Sequence, residues 1–231
     1  MIVLDNKLSM ELYNTDAVTL ARELLGKVLV TCADGEVTAG VITETDAYMG
    51  KNDRACHAYG GRRTARTETM YLPGGHAYVY LIYGMYYCMN VVAAEEDDPQ
   101  AVLVRGILPI YGVDTMISRR KVGAKSVSAK KYAAERLADG PGKLCRAMAI
   151  DRSMDACRLD SDRIYICDAG FKLTWEAMAS PRINIDYAGE DVLKPWRYLV
   201  APGDPLRPYA AALSYGLPLF LYLCFSLDSI R

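Results

Sequence analysis

Residues 76–92 read HAYVYLIYGMYYCMNVV, a run rich in β-branched and aromatic side chains with one glycine, Gly84, near its middle. Little else in the chain restricts its fold as strongly. That composition favours strands, and the interior glycine marks a reversal or a bend. The run therefore predicts a hairpin or a bent strand pair. Tyr78, Tyr80 and Ile82 fall on one face and Val79, Leu81 and Tyr83 on the other. Tyr83 sits at the tip beside Gly84. An aromatic stripe along a strand usually packs against a core or sheet, which is the expectation for Tyr78. A ring at a glycine-marked tip is expected to be exposed.

Other segments fill in the sheet and its cover. KVLVT (27–31), TAGVITETDAY (38–48), AVLVRGILPI (101–110), RIYIC (163–167) and WRYLV (196–200) read as strands. NTDAVTLARELLG (14–26) predicts a helix with Asn14, Thr15 or Asp16 as N-cap and Gly26 as the stop. GPGKLCRAMAI (140–150) reads as a loop entering a helix. With neither repeats nor a Pro/Ser-rich linker, one α+β domain is expected over residues 1–204. Residues 205–231 form a separate tail, because Tyr209 to Leu227 carries no charge. Its length matches a membrane span, but Gly216 and Pro218 interrupt it, so a packed terminal segment is the first expectation and an aberrant tail or a membrane anchor are the alternatives.

Seven scattered cysteines, none in a CxxC spacing, fit a reducing cytoplasm better than a disulfide framework or a zinc knuckle. Only His57 and His76 are present, which argues against a histidine-rich metal site. Met1 to Ser9 has no secretory pattern. The formal net charge of −1 hides an uneven distribution: residues 119–146 carry nine basic and two acidic side chains. Arg54, Arg62, Arg63 and Arg66 form a second basic group. Such stripes make a phosphate footprint, or else a solvated helical face.

TETDAYMG (43–50) carries Glu44, Asp46 and Tyr48 at alternate positions, hence on one strand face. Unpaired acids are not easily held in a core, so this face is expected to meet a ligand cavity. Asp46, Tyr48, His57 and Tyr80 together supply what an everted nucleobase needs: flat rings, an edge-reading group and a carboxylate near the sugar. Arg105 breaks an apolar strand and either orients a water or satisfies a buried acid. Tyr83 at the tip suits a wedge between bases.

The order ETDAYMG (44–50), RACHAYGGRRTARTETMY (54–71), PGGHAYVYLIYGMYYCMNVV (73–92), AVLVRGILP (101–109) and DGPGKLCRAMAI (139–150) resembles the 3-methyladenine (alkyladenine) DNA glycosylase family, over roughly residues 13–200. The resemblance implies a compact domain around a curved antiparallel sheet with a protruding β-hairpin. It also implies a monofunctional, cofactor- and metal-free hydrolase that removes 3-methyladenine, hypoxanthine or ethenoadenine from double-stranded DNA. By motif, Asp46 and Arg105 hold the catalytic positions, and Tyr48, His57 and Tyr80 enclose the base, with Asn90 at the pocket floor against guanine. Tyr83 fills the gap in the duplex, Met85 and Tyr86 line the groove, and Arg62, Thr64 and Lys143 contact the backbone or loops. A monomer in the cytoplasm, associated with the nucleoid and not with membrane, is expected.

One departure matters. The family motif reads ETEAY where this chain has ETDAY, so Asp46 stands in place of glutamate. The carboxylate is withdrawn by one methylene, roughly 1.5 Å, and a misplacement of about 1 Å can cost on the order of 10²-fold in rate. A slowed enzyme is the first expectation; a non-catalytic binder of damaged DNA is the alternative.

Overall fold

The computed structural model describes residues 4–121, 136–170 and 177–200. The uncharged tail and the middle of the basic stretch lie outside these residues. Eight antiparallel strands form one open sheet: β1 (Val28–Ala33), β2 (Glu36–Tyr48), β3 (Ala77–Ile82), β4 (Tyr86–Ala93), β5 (Gln100–Tyr111), β6 (Ile164–Cys167), β7 (Met178–Ser180) and β8 (Arg197–Leu199). The main path runs β3-β4-β5-β2-β1-β6, and β8 joins β2 to β7. Among the described residues, the α-helices α1 (Ala17–Glu23), α2 (Val113–Arg120) and α3 (Pro141–Ala147) complete a mixed α+β domain. The expected strands are all present; β7, too short to carry a pattern, is additional.

Asp16 is the N-cap of α1, its carboxylate accepting from the Val18 and Thr19 amides at 3.0 Å each. Helix α1 then buries Leu20 and Ala21 in a core shared with Met116 of α2, Leu144 of α3, and Ile42, Met89 and Val102 of the sheet. Among the described residues no helix is long and apolar enough to cross a membrane.

Strand β2 determines where the chemistry falls. Its first half lies between β1 and β5; its second half lies between β5 and β8, with Glu44, Thr45 and Asp46 opposite Leu199, Tyr198 and Arg197. Against β5, Glu44 faces Gly106 and Thr45 faces Val104, which leaves Arg105 as the extra residue of a β-bulge. A bulge bends the strand and re-aims the side chain, and here it turns the Arg105 guanidinium onto the acids of β2. The β3–β4 hairpin runs in register from Ala77↔Val91 to Ile82↔Tyr86. Its reversal is closed by Met85 N–H donating to Ile82 C=O at 3.1 Å. Tyr83 and Gly84 both have positive φ, 53° and 66°. For glycine that is ordinary; for tyrosine it is a strained backbone.

Candidate active site

A cavity of about 330 Å³ opens between the hairpin, β5, the 55–57 segment and the 183–187 loop. That is the scale of small-molecule sites. Tyr48 from β2, His57, and Tyr78 and Tyr80 from β3 supply its aromatic lining, with Asn90 and Arg105 as polar members. The His57 and Tyr80 rings meet edge to face with centroids 4.7 Å apart. Tyr78 is buried, as expected for core packing, yet it also lines the cavity and its hydroxyl pairs with His57 Nδ1 at 2.9 Å. Burial, helped by Arg66 and Arg62, lowers the His57 pKa to about 4. The imidazole is therefore neutral at physiological pH and able to read a ligand edge without adding charge. Burial pushes the Tyr48 and Tyr80 hydroxyls upward, so both rings stay neutral as well.

Behind this lining lies a charged layer. Arg105 donates through Nε to Glu44 at 2.8 Å and through Nη1 to Asp46 at 3.0 Å. Arg197 of β8 donates to the same Glu44 oxygen at 2.7 Å. Glu44 is thus held by two guanidinium groups, and Asp46 by one through Oδ2. The Asp46 side chain has no exposed surface, and its Oδ1 is buried without a partner. Burial raises the Asp46 pKa to about 6, against the opposing pull of Arg105 and with a further upward push from Glu44. A buried carboxylate with a free lone pair and a pKa near neutrality is poised to accept a proton. The alternation of Glu44, Asp46 and Tyr48 leads a reader to expect all three at the cavity wall. Instead Tyr48 and Arg105 line the wall and Asp46 lies behind them. There its Oδ2 accepts from Arg105 at 3.0 Å.

The hairpin tip is bare. Tyr83 is 78% exposed and Met85 69%, and Tyr86 is exposed beside them, its Cβ close over Gly142 of α3. Among the candidate backbone contacts, Arg62 and Thr64 are exposed. Lys143 pairs with Asp139 at 2.7 Å. The longer basic stripe contributes less free charge than its composition implies. Arg119 donates to the carbonyls of Ala147 and Ala33, and Arg120 to that of Leu137, so both serve the fold. Lys125, Lys130 and Lys131 lie outside the described residues.

Comparison with known proteins places the chain in a family. The profile of the methylpurine-DNA glycosylase (MPG) family matches residues 11–204. A relative in Clostridium acetobutylicum is 47% identical over 194 residues, covering 84% of this chain and 94% of its own. One in Natranaerobius thermophilus is 43% identical over 195 residues, 84% of this chain and 95% of its own. A third, in Bacillus cereus, is 44% identical over 190 residues, 80% of this chain and 91% of its own. All three carry the provisional name 3-methyladenine DNA glycosylase.

The chain belongs to the methylpurine-DNA glycosylase family.

In this member of the methylpurine-DNA glycosylases, several site residues had no sequence signal. Arg197 reaches Glu44 from a three-residue strand 153 positions away. Arg182 is buried against Tyr48, and Asp53 is its partner. Tyr187, 71% exposed, lines the cavity together with Tyr83 and donates from its hydroxyl to Ala55 C=O at 3.3 Å. A lone arginine or tyrosine in a loop gives no pattern from which such pairings could be foreseen.

Proposed function

We propose that this protein is a monofunctional DNA glycosylase that everts alkylated or deaminated purines from duplex DNA and hydrolyses the N-glycosidic bond. The observation that carries this reading is the junction of an aromatic cavity with a buried, proton-accepting carboxylate through one shared residue, Arg105. A planar purine fits between Tyr48, His57 and Tyr80, whose neutral rings accept 3-methyladenine, hypoxanthine or ethenoadenine by stacking. Asn90, buried at the cavity with its amide donating to Tyr78 C=O at 3.2 Å, stands where an exocyclic amine on guanine would press.

Asp46 Oδ1 takes the proton from the attacking water as the sugar gains positive charge, and the carboxylate stabilises that charge. Arg105 holds the carboxylate ionised and orients the water. Among the described residues no lysine lines the cavity, and direct hydrolysis needs no amine to form a Schiff base. Tyr83 enters the gap left by the everted nucleotide, Met85 and Tyr86 rest in the groove, and Arg62, Thr64 and Lys143 meet the backbone. No metal or organic cofactor takes part, and the protein works as a monomer on DNA in the cytoplasm.

The complete burial of Asp46 favours a second reading, a binder of damaged DNA that does not cut it. A duplex containing hypoxanthine separates the two. Abasic product that disappears in Asp46→Asn supports the glycosylase; tight, lesion-selective and salt-sensitive binding without product supports the binder.

A further inference from the structure

Arg182 is the most enclosed cation of the described residues: its side chain has no exposed surface, and neither has that of Asp53. The two form a bidentate pair, Nη1 to Oδ2 at 2.6 Å and Nη2 to Oδ1 at 2.8 Å. Burial disfavours the charged guanidinium, but the hydrogen bonds and charge of Asp53, joined by Tyr48 and Asp46, together hold it charged. A pair with such a desolvation cost is weak evidence for stability alone, so its placement bears closer inspection.

Arg182 Nη1 also donates to Ala47 C=O at 2.9 Å, the residue between Asp46 and Tyr48. The guanidinium lies 4.8 Å from the centroid of the Tyr48 ring and 5.0 Å from that of Trp196. Trp196 C=O in turn accepts from Ala47 N–H at 2.8 Å. Asp53 accepts from Met49 N–H at 3.1 Å and from Ala55 N–H at 3.0 Å. Two side chains therefore fix the backbone on both sides of Tyr48 and the start of the segment that carries His57. Arg182 Nε is left buried without a partner. An arrangement selected for stability alone would not need to leave that donor unsatisfied.

We propose that Arg182 and Asp53 are a positioning pair that sets the Tyr48 wall of the cavity at its distance from the His57 wall, and with it the slot into which the lesion base inserts. This rests on the glycosylase reading above for the identity of the inserted group. Neither residue touches the base. Arg182 fixes the backbone flanking Tyr48 and stacks on its ring, while Asp53 ties the end of β2 to the 53–57 segment. Loss of the pair loosens one wall of a slot whose width decides stacking, with no direct loss of phosphate contacts or of the hairpin wedge.

The test compares Arg182→Met, Arg182→Lys and Asp53→Asn with the natural protein on a duplex containing one ethenoadenine. Emission of the lesion reports capture, an undamaged duplex reports general DNA binding, and a ¹³C-tyrosine spectrum reports the ring environments directly. Leu29→Ala, a buried core change in β1, controls for lowered stability. Arg182→Met is expected to weaken lesion capture on the order of 10- to 100-fold, to leave undamaged binding unchanged, and to move the Tyr48 signal while Tyr80 holds. Arg182→Lys keeps the charge over the ring but not the fork and is expected to recover part of the loss; it carries the comparison if the methionine variant does not fold. The proposal is overturned by an unmoved Tyr48 signal, by proportional loss on both duplexes, or by the same lesion-selective loss in Leu29→Ala. A natural protein that captures no lesion defeats the glycosylase reading, and the tyrosine spectrum still decides the role of the pair.

Discussion

Under the cavity, the second half of β2 is bound from three sides. Arg105 and Arg197 hold Glu44, Arg105 also holds Asp46, and Arg182 holds the Ala47 carbonyl. At the β3–β4 reversal, two strands away across the sheet, Tyr83 and Met85 stand in solvent, and a backbone hydrogen bond from Met85 to Ile82 closes the turn. The floor is over-determined and polar; the tip is strained and apolar. A reaction that needs a water held to within an ångström belongs on the first kind of surface. A step that needs a ring to leave water and enter a base stack belongs on the second, since the exposed tyrosine gains apolar contact only once DNA is present.

The largest expected effect is at the floor. Asp46→Asn keeps the shape and removes the base, so excision should fall by about 10²- to 10⁴-fold in single-turnover assays, with lesion binding retained. The pH dependence sharpens the assignment. With Asp46 as base, excision by the natural protein should rise with pH through about 6 and then level off. Stability moves oppositely for this group. The folded state holds the proton more tightly than the unfolded chain, so the Asp46 contribution favours folding below the ordinary carboxylate range and is lost as pH climbs toward about 6. Asp46→Asn should abolish both signatures. Equal excision by the variant would remove the floor from the chemistry.

Next in size is Asp46→Glu. The extra methylene advances the carboxylate by roughly 1.5 Å toward the wall that Arg105 and Tyr48 already reach. If reach limits the natural protein, excision should increase on the order of 10²-fold with little change in binding. An unchanged rate would mean that the bulge at Arg105 already compensates for the shorter acid.

How far this contrast could be read from the chain depends on the range of each interaction. The hairpin, its exposed ring and the Asp16 cap are local: strand composition, one glycine and one capping side chain determine them. The shared face of Glu44, Asp46 and Tyr48 follows from strand alternation. The partner of those acids is legible only as an oddity, an arginine inside an apolar strand, because the bulge that aims Arg105 depends on register with β2. Arg197, Arg182 and Asp53 were not legible, since each acts across loops that carry no periodicity. The basic stripe is only partly legible for a related reason. Composition records that Arg119 and Arg120 are cationic, but not that they turn back onto buried carbonyls.

At the tip the effects are smaller and of a different kind. Tyr83→Ala removes a stacking ring worth about 1–3 kcal/mol per base, so lesion capture should weaken by roughly 5- to 150-fold, while excision of captured lesion changes less. A variant that loses chemistry in step with capture would show that tip and floor are not separable.

The smallest expected effect distinguishes two backbone contacts. Arg62 is exposed beside the cavity motif, and its replacement by alanine should lower the salt dependence of binding by about one counterion, equally for damaged and undamaged duplex. Lys143 is already paired with Asp139 at 2.7 Å on a solvent-exposed turn. A phosphate must compete with that carboxylate for the ammonium, so Lys143→Ala should change the salt slope by less than Arg62→Ala. Removing the competitor in Asp139→Asn should then strengthen binding at low salt and steepen the slope, through a lysine that no longer has a choice of partner. The opposite ranking, with Lys143 the stronger contact, would mean that the Asp139 pair opens on DNA and that α3 takes a larger part in binding than the exposed loop before β3.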